Sequence, residues 1–160
     1  MKYSILAFLA ISLSLNLFSQ NQKVIIKDDK IIIPINTELK ISTKEKKEKI
    51  SNFEIKTESE IRELIDMMSV LGKIEKKEII SDEIDFKFSK ADFMGSKIII
   101  LTTLQHYTKS IIFKAKIRIK GTENYVETSI VPKAPNVFSV EQWNDDIDSI
   151  ILFDFRFDEK

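Results

Sequence analysis

The segment KSIIFKAKIRIKGTENYVETSIV, residues Lys109–Val131, decides the fold class of this 160-residue chain. From Ile111 to Lys120, apolar side chains alternate with mostly basic ones, which is the period of a β-strand with one buried and one solvated face. Gly121–Asn124 has the composition of a turn, and a second strand follows from Tyr125 to Val131. The segment predicts an antiparallel hairpin in which Arg118 lies opposite Glu127.

Strand signals continue on both sides of this hairpin. Val24–Ile26 and Ile31–Ile33 flank Asp28-Asp29, a pair that tolerates tight-turn geometry, and Pro34 predicts the end of the second strand or an edge position. Two further strands, Ile98–Leu101 and Ile150–Phe153, are apolar on both faces. Such runs are expected where a strand is covered on both sides.

One segment has a helical rather than a β period. Ile61, Leu64, Ile65, Met68 and Leu71 recur at helical offsets, after a capping-box pattern at Thr57 and Glu60. This predicts an amphipathic helix from about residue 58 to residue 71. The expected fold is therefore mainly β (α+β), an antiparallel β-sandwich-like or curved sheet of about seven to nine strands with the helix packed on it.

The N-terminus has the layout of a secretory signal. Lys2 precedes the apolar run Ile5–Leu15, and the small polar stretch Ser19–Gln22 follows. We expect residues 1–19 to be removed, residues 20–160 to form one β-rich domain, and the product to be secreted or periplasmic. Ile5–Phe18 is shorter than the roughly 20 apolar residues that a transmembrane helix needs, which argues against an uncleaved anchor. No second apolar segment of that length follows, so no membrane span is expected after cleavage.

Composition limits the classes of partner. Lysine and arginine number 25, aspartate and glutamate also number 25, and the formal net charge is zero. That balance does not favour nucleic acid or an anionic membrane surface. The chain has no cysteine, so disulfides and thiolate chemistry are absent.

Few residues suggest catalysis or metal binding. The single histidine, His106, is expected in a surface turn. The carboxylates cluster as Asp82-Glu83-x-Asp85 and as Glu141 with Asp145-Asp146-x-Asp148, but neither group has the spacing or glycine of an EF-hand. We interpret both clusters as solvated turn charge, and we predict no catalytic residue, no metal site and no cofactor.

The candidate binding residues are a basic stripe and two aromatic side chains: Lys114, Lys116, Arg118, Lys120, Tyr125 and Trp143. The stripe follows one strand face at a pitch of about 6.6 Å and suits an envelope protein or a polysaccharide. The competing interpretation is a solvated face that Glu127 partly neutralises, with Trp143 anchoring a loop over the core.

These observations predict an exported, non-enzymatic binding module. Two alternatives stay open. Abundant phenylalanine is compatible with a carrier that holds a small apolar ligand in an internal cavity. The paired carboxylates are compatible with a hydrolase that uses Asp and Glu side chains.

Overall fold

The computed structural model describes residues 23–46, 48–67 and 81–158. These residues form a mainly antiparallel sheet, as predicted, but with eleven strands instead of about seven to nine. The predicted leader lies outside the described residues. The strands are β1 Ile25–Lys27, β2 Lys30–Pro34, β3 Thr37–Lys46, β4 Lys49–Glu60, β5 Ile65–Asp66, β6 Glu83–Phe93, β7 Ser96–Gln105, β8 Ile111–Ile119, β9 Tyr125–Thr128, β10 Ser139–Trp143 and β11 Ile147–Phe157.

The sheet has two halves that meet at β11. The first half has the order β1-β2-β11-β8-β9, and the second has the order β4-β3-β6-β7-β10. The short strand β5 pairs parallel with β6. The halves are joined where Arg156 of β11 pairs with Lys49 of β4. A bulge at Asp154, which has a φ of 57°, lies beside this junction, and such bulges bend a strand.

The local turn chemistry at the start of the sheet is as the sequence predicts. Asp28 and Asp29 connect β1 to β2 with φ values of 51° and 55°, the left-handed conformation that a two-residue hairpin turn requires. β2 ends at Pro34, which cannot donate a hydrogen bond to continue the ladder.

The sheet folds back on itself, so that the inner faces of both halves share one core. Phe86 of β6 meets Phe113 of β8 edge to face, with ring centroids 6.0 Å apart. Phe113 stacks on Phe155 of β11 at 4.8 Å. These rings fill the space between the halves, and burial of their apolar area contributes to the stability of the fold.

The helix predicted over residues 58–71 is wrong from residue 58 to residue 66. Residues 58–60 belong to β4 and residues 65–66 form β5, whereas Met67 has a helical backbone and residues 68–71 lie outside the described residues. Backbone pairing overrides the helical period here. Thr57 pairs with Lys40 of β3 instead of capping a helix, the Ile61 amide donates to the Asn36 carbonyl, and Ile65 pairs with Ala91 of β6.

The predicted Arg118–Glu127 pair is also wrong. Tyr125 lies opposite Arg118, and Glu127 lies opposite Lys116, so the register differs from the prediction by two residues. A shift of two keeps every side chain on its predicted face. The connection is longer than a tight turn because the Lys120 amide donates to the Asp146 carbonyl instead of pairing with β9.

Candidate functional site

The outer face of the first half carries most of the predicted binding residues. Side chains directly opposite each other in paired strands lie on the same face, so the register defines three rows across this surface. The first row is Ile25, Ile32, Ile151, Lys116 and Glu127; the second is Pro34, Ser149, Arg118 and Tyr125; the third is Phe153 and Lys114. We call this surface the open face.

The first row of the open face begins with three isoleucines from three adjacent strands. Ile25 is 54% exposed, while Ile32 and Ile151 are half-buried. In the third row, Phe153 is also half-buried. Among the described residues, no other strand packs over these side chains. The result is an apolar strip on the solvent side of a sheet.

The basic residues of the stripe are all paired with acidic residues. The ion pairs are Lys114–Asp154 at 3.0 Å, Lys116–Glu127 at 3.6 Å, Arg118–Asp148 at 2.7 Å and Lys120–Asp146 at 3.6 Å. The hydrogen bond from Arg118 to Asp148 raises the pKa of the guanidinium. Each cation of the stripe lies beside a carboxylate, although Asp146 and Asp154 also contact Lys90 and Arg156. The positive charge that the stripe could offer a polyanion is therefore largely offset.

A cationic side chain lies over each of the two aromatic rings of the open face. The Arg118 guanidinium lies 5.5 Å from the ring centroid of Tyr125, and the Lys116 ammonium lies 5.7 Å from that of Phe153. Tyr125 and Ser149 also share a hydrogen bond of 2.9 Å between their hydroxyl groups. These contacts hold the rings against the sheet and occupy ring area that a stacked sugar would need.

Trp143 does not belong to the open face. Its ring meets Phe88 edge to face at 6.5 Å on the core side of the sheet. Its indole N–H donates to the Thr128 hydroxyl at 2.8 Å. Trp143 therefore anchors β10 to the core and links it to the end of β9.

A buried ion pair that no sequence pattern predicts lies near this link. Lys133 is fully buried, and its ammonium donates to the Glu141 carboxylate. The backbone of Lys133 pairs with Ile111 of β8, whereas Glu141 lies in β10 of the second half. The pair and the Trp143–Thr128 bond join the two halves at a place we call the seam. Burial lowers the pKa of Lys133, and the hydrogen bond to Glu141 opposes that shift.

His106 is buried, so its predicted place in a surface turn is wrong. Its Nε2 lies 3.1 Å from an Asp85 carboxylate oxygen, and its Nδ1 lies 3.4 Å from Oδ1 of Asn136. Asp85 also pairs with Lys40 at 3.4 Å. Among the described residues, no hydroxyl group contacts His106. The His106–Asp85 pair therefore lacks the adjacent nucleophile that the usual catalytic arrangement requires.

Cations also compensate the acidic clusters. Lys40 contacts both Glu83 and Asp85, and Lys90 contacts Asp146. In the described part of the chain, no three His, Asp or Glu side chains are placed to hold a metal ion together. The same residues include no helix that is long and apolar enough to cross a membrane.

Two surface hollows have linings that mix charged and apolar residues. One of about 550 Å³ is bordered by Glu48, Thr108, Lys109, Ser110, Pro135, Phe157 and Asp158. Another of about 280 Å³ is bordered by charged side chains of β3 and β6 together with Leu39, Leu104 and Phe138. Neither has the lining of several phenylalanines that an apolar carrier would use.

Comparison with known proteins identifies no relative. No protein-family model matches the chain, and searches of the curated proteins and of the solved structures return no match.

Proposed function

We propose that this chain is exported to the cell envelope and acts by binding another protein through the open face, without catalysis. The observation that carries the proposal is the apolar strip of Ile25, Ile32, Ile151 and Phe153 on the outer side of the sheet. Ion pairs border this strip. An apolar centre with a polar rim is the usual composition of a protein–protein interface.

The charge pattern favours a protein over a polyanion. A nucleic acid or an acidic polysaccharide binds where cations are in excess, whereas Lys114, Lys116 and Arg118 each lie beside a carboxylate. A partner with apolar side chains at its centre and charges of both signs around them would match this surface.

The layout of the N-terminus supports export. Lys2, the apolar run Ile5–Leu15 and the junction at Ser19-Gln20 follow the order of a secretory signal. The absence of cysteine means that an oxidising compartment would not alter the chain through disulfide formation.

Photo-crosslinking in the producing cell tests the proposal. A benzophenone side chain is placed at position 151 of the full chain, and a matched control is placed at position 94, where Met94 is 82% exposed at the β6–β7 turn. We expect irradiation to yield a protein adduct in the envelope fraction from position 151 and little from position 94. Equal yields at both positions, an adduct to polysaccharide, or a cytosolic product would contradict the proposal.

A further inference from the structure

The described part of the chain begins beside the apolar strip of the open face. Lys23 is the first described residue, and Ile25, two residues later, is the first member of the strip. The Val24 amide donates to the Glu58 carboxylate at 2.9 Å, which fixes the chain where it enters β1. The residues before Lys23 are therefore tethered to the edge of the open face that carries the strip.

The tethered residues include the predicted leader, residues 1–19, whose composition suits the strip. From residue 5 to residue 18 the leader has no charged side chain, and only Ser12, Ser14 and Asn16 interrupt its apolar run. The ion pairs that border the strip are compensated among themselves. An uncharged apolar segment therefore meets apolar side chains at the strip and no excess charge around it.

The leader is close enough to reach every member of the strip. Six residues, from Ser19 to Val24, separate Phe18 from Ile25, and an extended chain of that length spans about 20 Å. The first row crosses two strand spacings from Ile25 to Ile151, which is about 10 Å. A segment held at such short range has an effective concentration of the order of millimolar, so a weak apolar contact is sufficient to keep it bound.

We propose that the leader, while it is attached, packs on the apolar strip and closes the open face, and that its removal exposes the strip for the partner. This inference rests on the proposed function, because it assigns a regulation to the same surface. A precursor that folds before export then withholds both its leader and its contact surface. The open face becomes available only in the processed chain of the envelope.

Thiol labelling of the purified full chain tests the proposal. The chain has no cysteine, so Ile151→Cys places a single thiol in the strip, and Met94→Cys places one at the exposed β6–β7 turn as a matched control. Each variant is prepared with the original leader and with Leu9→Glu/Leu13→Glu, which puts two charges into the apolar run. We expect these charges to raise the rate of iodoacetamide labelling at position 151 about tenfold, because a carboxylate is costly to bury against apolar side chains. The rate at position 94 should not change.

The dependence on chain concentration identifies what covers position 151. Protection by the leader of the same chain stays constant on dilution, whereas protection by a second copy weakens. Protection that is lost on dilution would overturn the proposal, as would equal labelling of position 151 with either leader.

A disulfide provides a second measurement that does not depend on a charged leader. Under mild oxidation, Leu13→Cys/Ile151→Cys should form an intramolecular disulfide, and the control Leu13→Cys/Met94→Cys should form little. Equal formation in both variants would overturn the proposal. These experiments use the purified full chain without a partner, so their failure leaves the crosslinking test of the proposed function in place. Conversely, failure of that crosslinking test leaves the leader contact measurable.

Discussion

The two outer faces of the sheet differ in what covers their apolar residues. In the second half, Ile98 and Ile100 of β7 point outward and are buried under Ile65 and Met67, which with Ala91 form a second small core. We call this surface the covered face. In the first half, Ile151 and Phe153 of β11 also point outward but are only half-buried on the open face.

The contrast shows that one sequence pattern can have two structural outcomes. The apolar runs Ile98–Leu101 and Ile150–Phe153 both predict strands that are covered on both sides. The chain supplies the second cover for β7 with the segment that includes β5, whereas no described segment covers β11. An apolar outer residue without an internal cover is a candidate contact for another molecule.

The largest expected effect separates the two faces by stability. Ile100→Ala on the covered face should lower the free energy of unfolding by about 4 kcal/mol, because it removes a fully buried side chain. Ile151→Ala on the open face should cost about 1 kcal/mol, since that side chain is already partly solvated. Urea unfolding of the two variants measures both values, provided that the dependence of the unfolding free energy on urea concentration is the same in each. Equal losses of unfolding free energy would remove the distinction between the faces.

A smaller effect is expected at the seam, where an ion pair is buried instead of exposed. Lys133→Met should cost about 3 kcal/mol, because the poorly solvated Glu141 carboxylate loses its counter-charge and keeps only the hydrogen bond from the Val131 amide. The double variant Lys133→Met/Glu141→Leu should be clearly more stable than the single variant, since no unpaired charge remains. Thermal unfolding of the three chains provides the measurement, and a single variant as stable as the original would show that the seam does not depend on the pair.

The smallest effect concerns the exposed ion pairs of the open face. Lys116→Glu should cost less than about 1 kcal/mol, because the pair with Glu127 is solvated. Adding Glu127→Lys to Lys116→Glu should recover most of that loss, because the two residues lie opposite each other. Adding Glu127→Lys to Arg118→Glu should not recover the stability lost in Arg118→Glu, because Arg118 lies opposite Tyr125. A double-mutant cycle by urea unfolding decides between these registers.

Local sequence patterns predicted the structure correctly where residues close in sequence determine the backbone conformation. Alternation from Ile111 to Lys120 predicts the buried and solvated faces of β8 correctly, and Asp28-Asp29 predicts the β1–β2 turn. The β8–β9 register was wrong by two residues because Lys120 bonds to Asp146, a partner distant in sequence. The helical period after Thr57 failed for the same reason, since contacts with β3 and β6 decide the backbone there.

The site was predictable only in part. Alternation places Lys114, Lys116 and Arg118 on one face, but the carboxylates that neutralise Arg118 and Lys114 come from β11, 30 and 40 residues further along the chain. The isoleucines of the apolar strip come from β1, β2 and β11, which only the sheet order brings together. Lys133 could not be distinguished from the other lysines, because its burial arises from the bridge to β8 and the contact with Glu141.

Carbene footprinting of the purified chain at high dilution and of the same chain in its native envelope tests the role of the open face most directly. We expect Ile151 and Phe153 to be labelled in the dilute chain and protected in the envelope, and Ile100 to be protected in both. Labelling of Ile151 that is undiminished in the envelope would show that the open face is not a contact surface there, as would protection of Ile151 in the dilute chain.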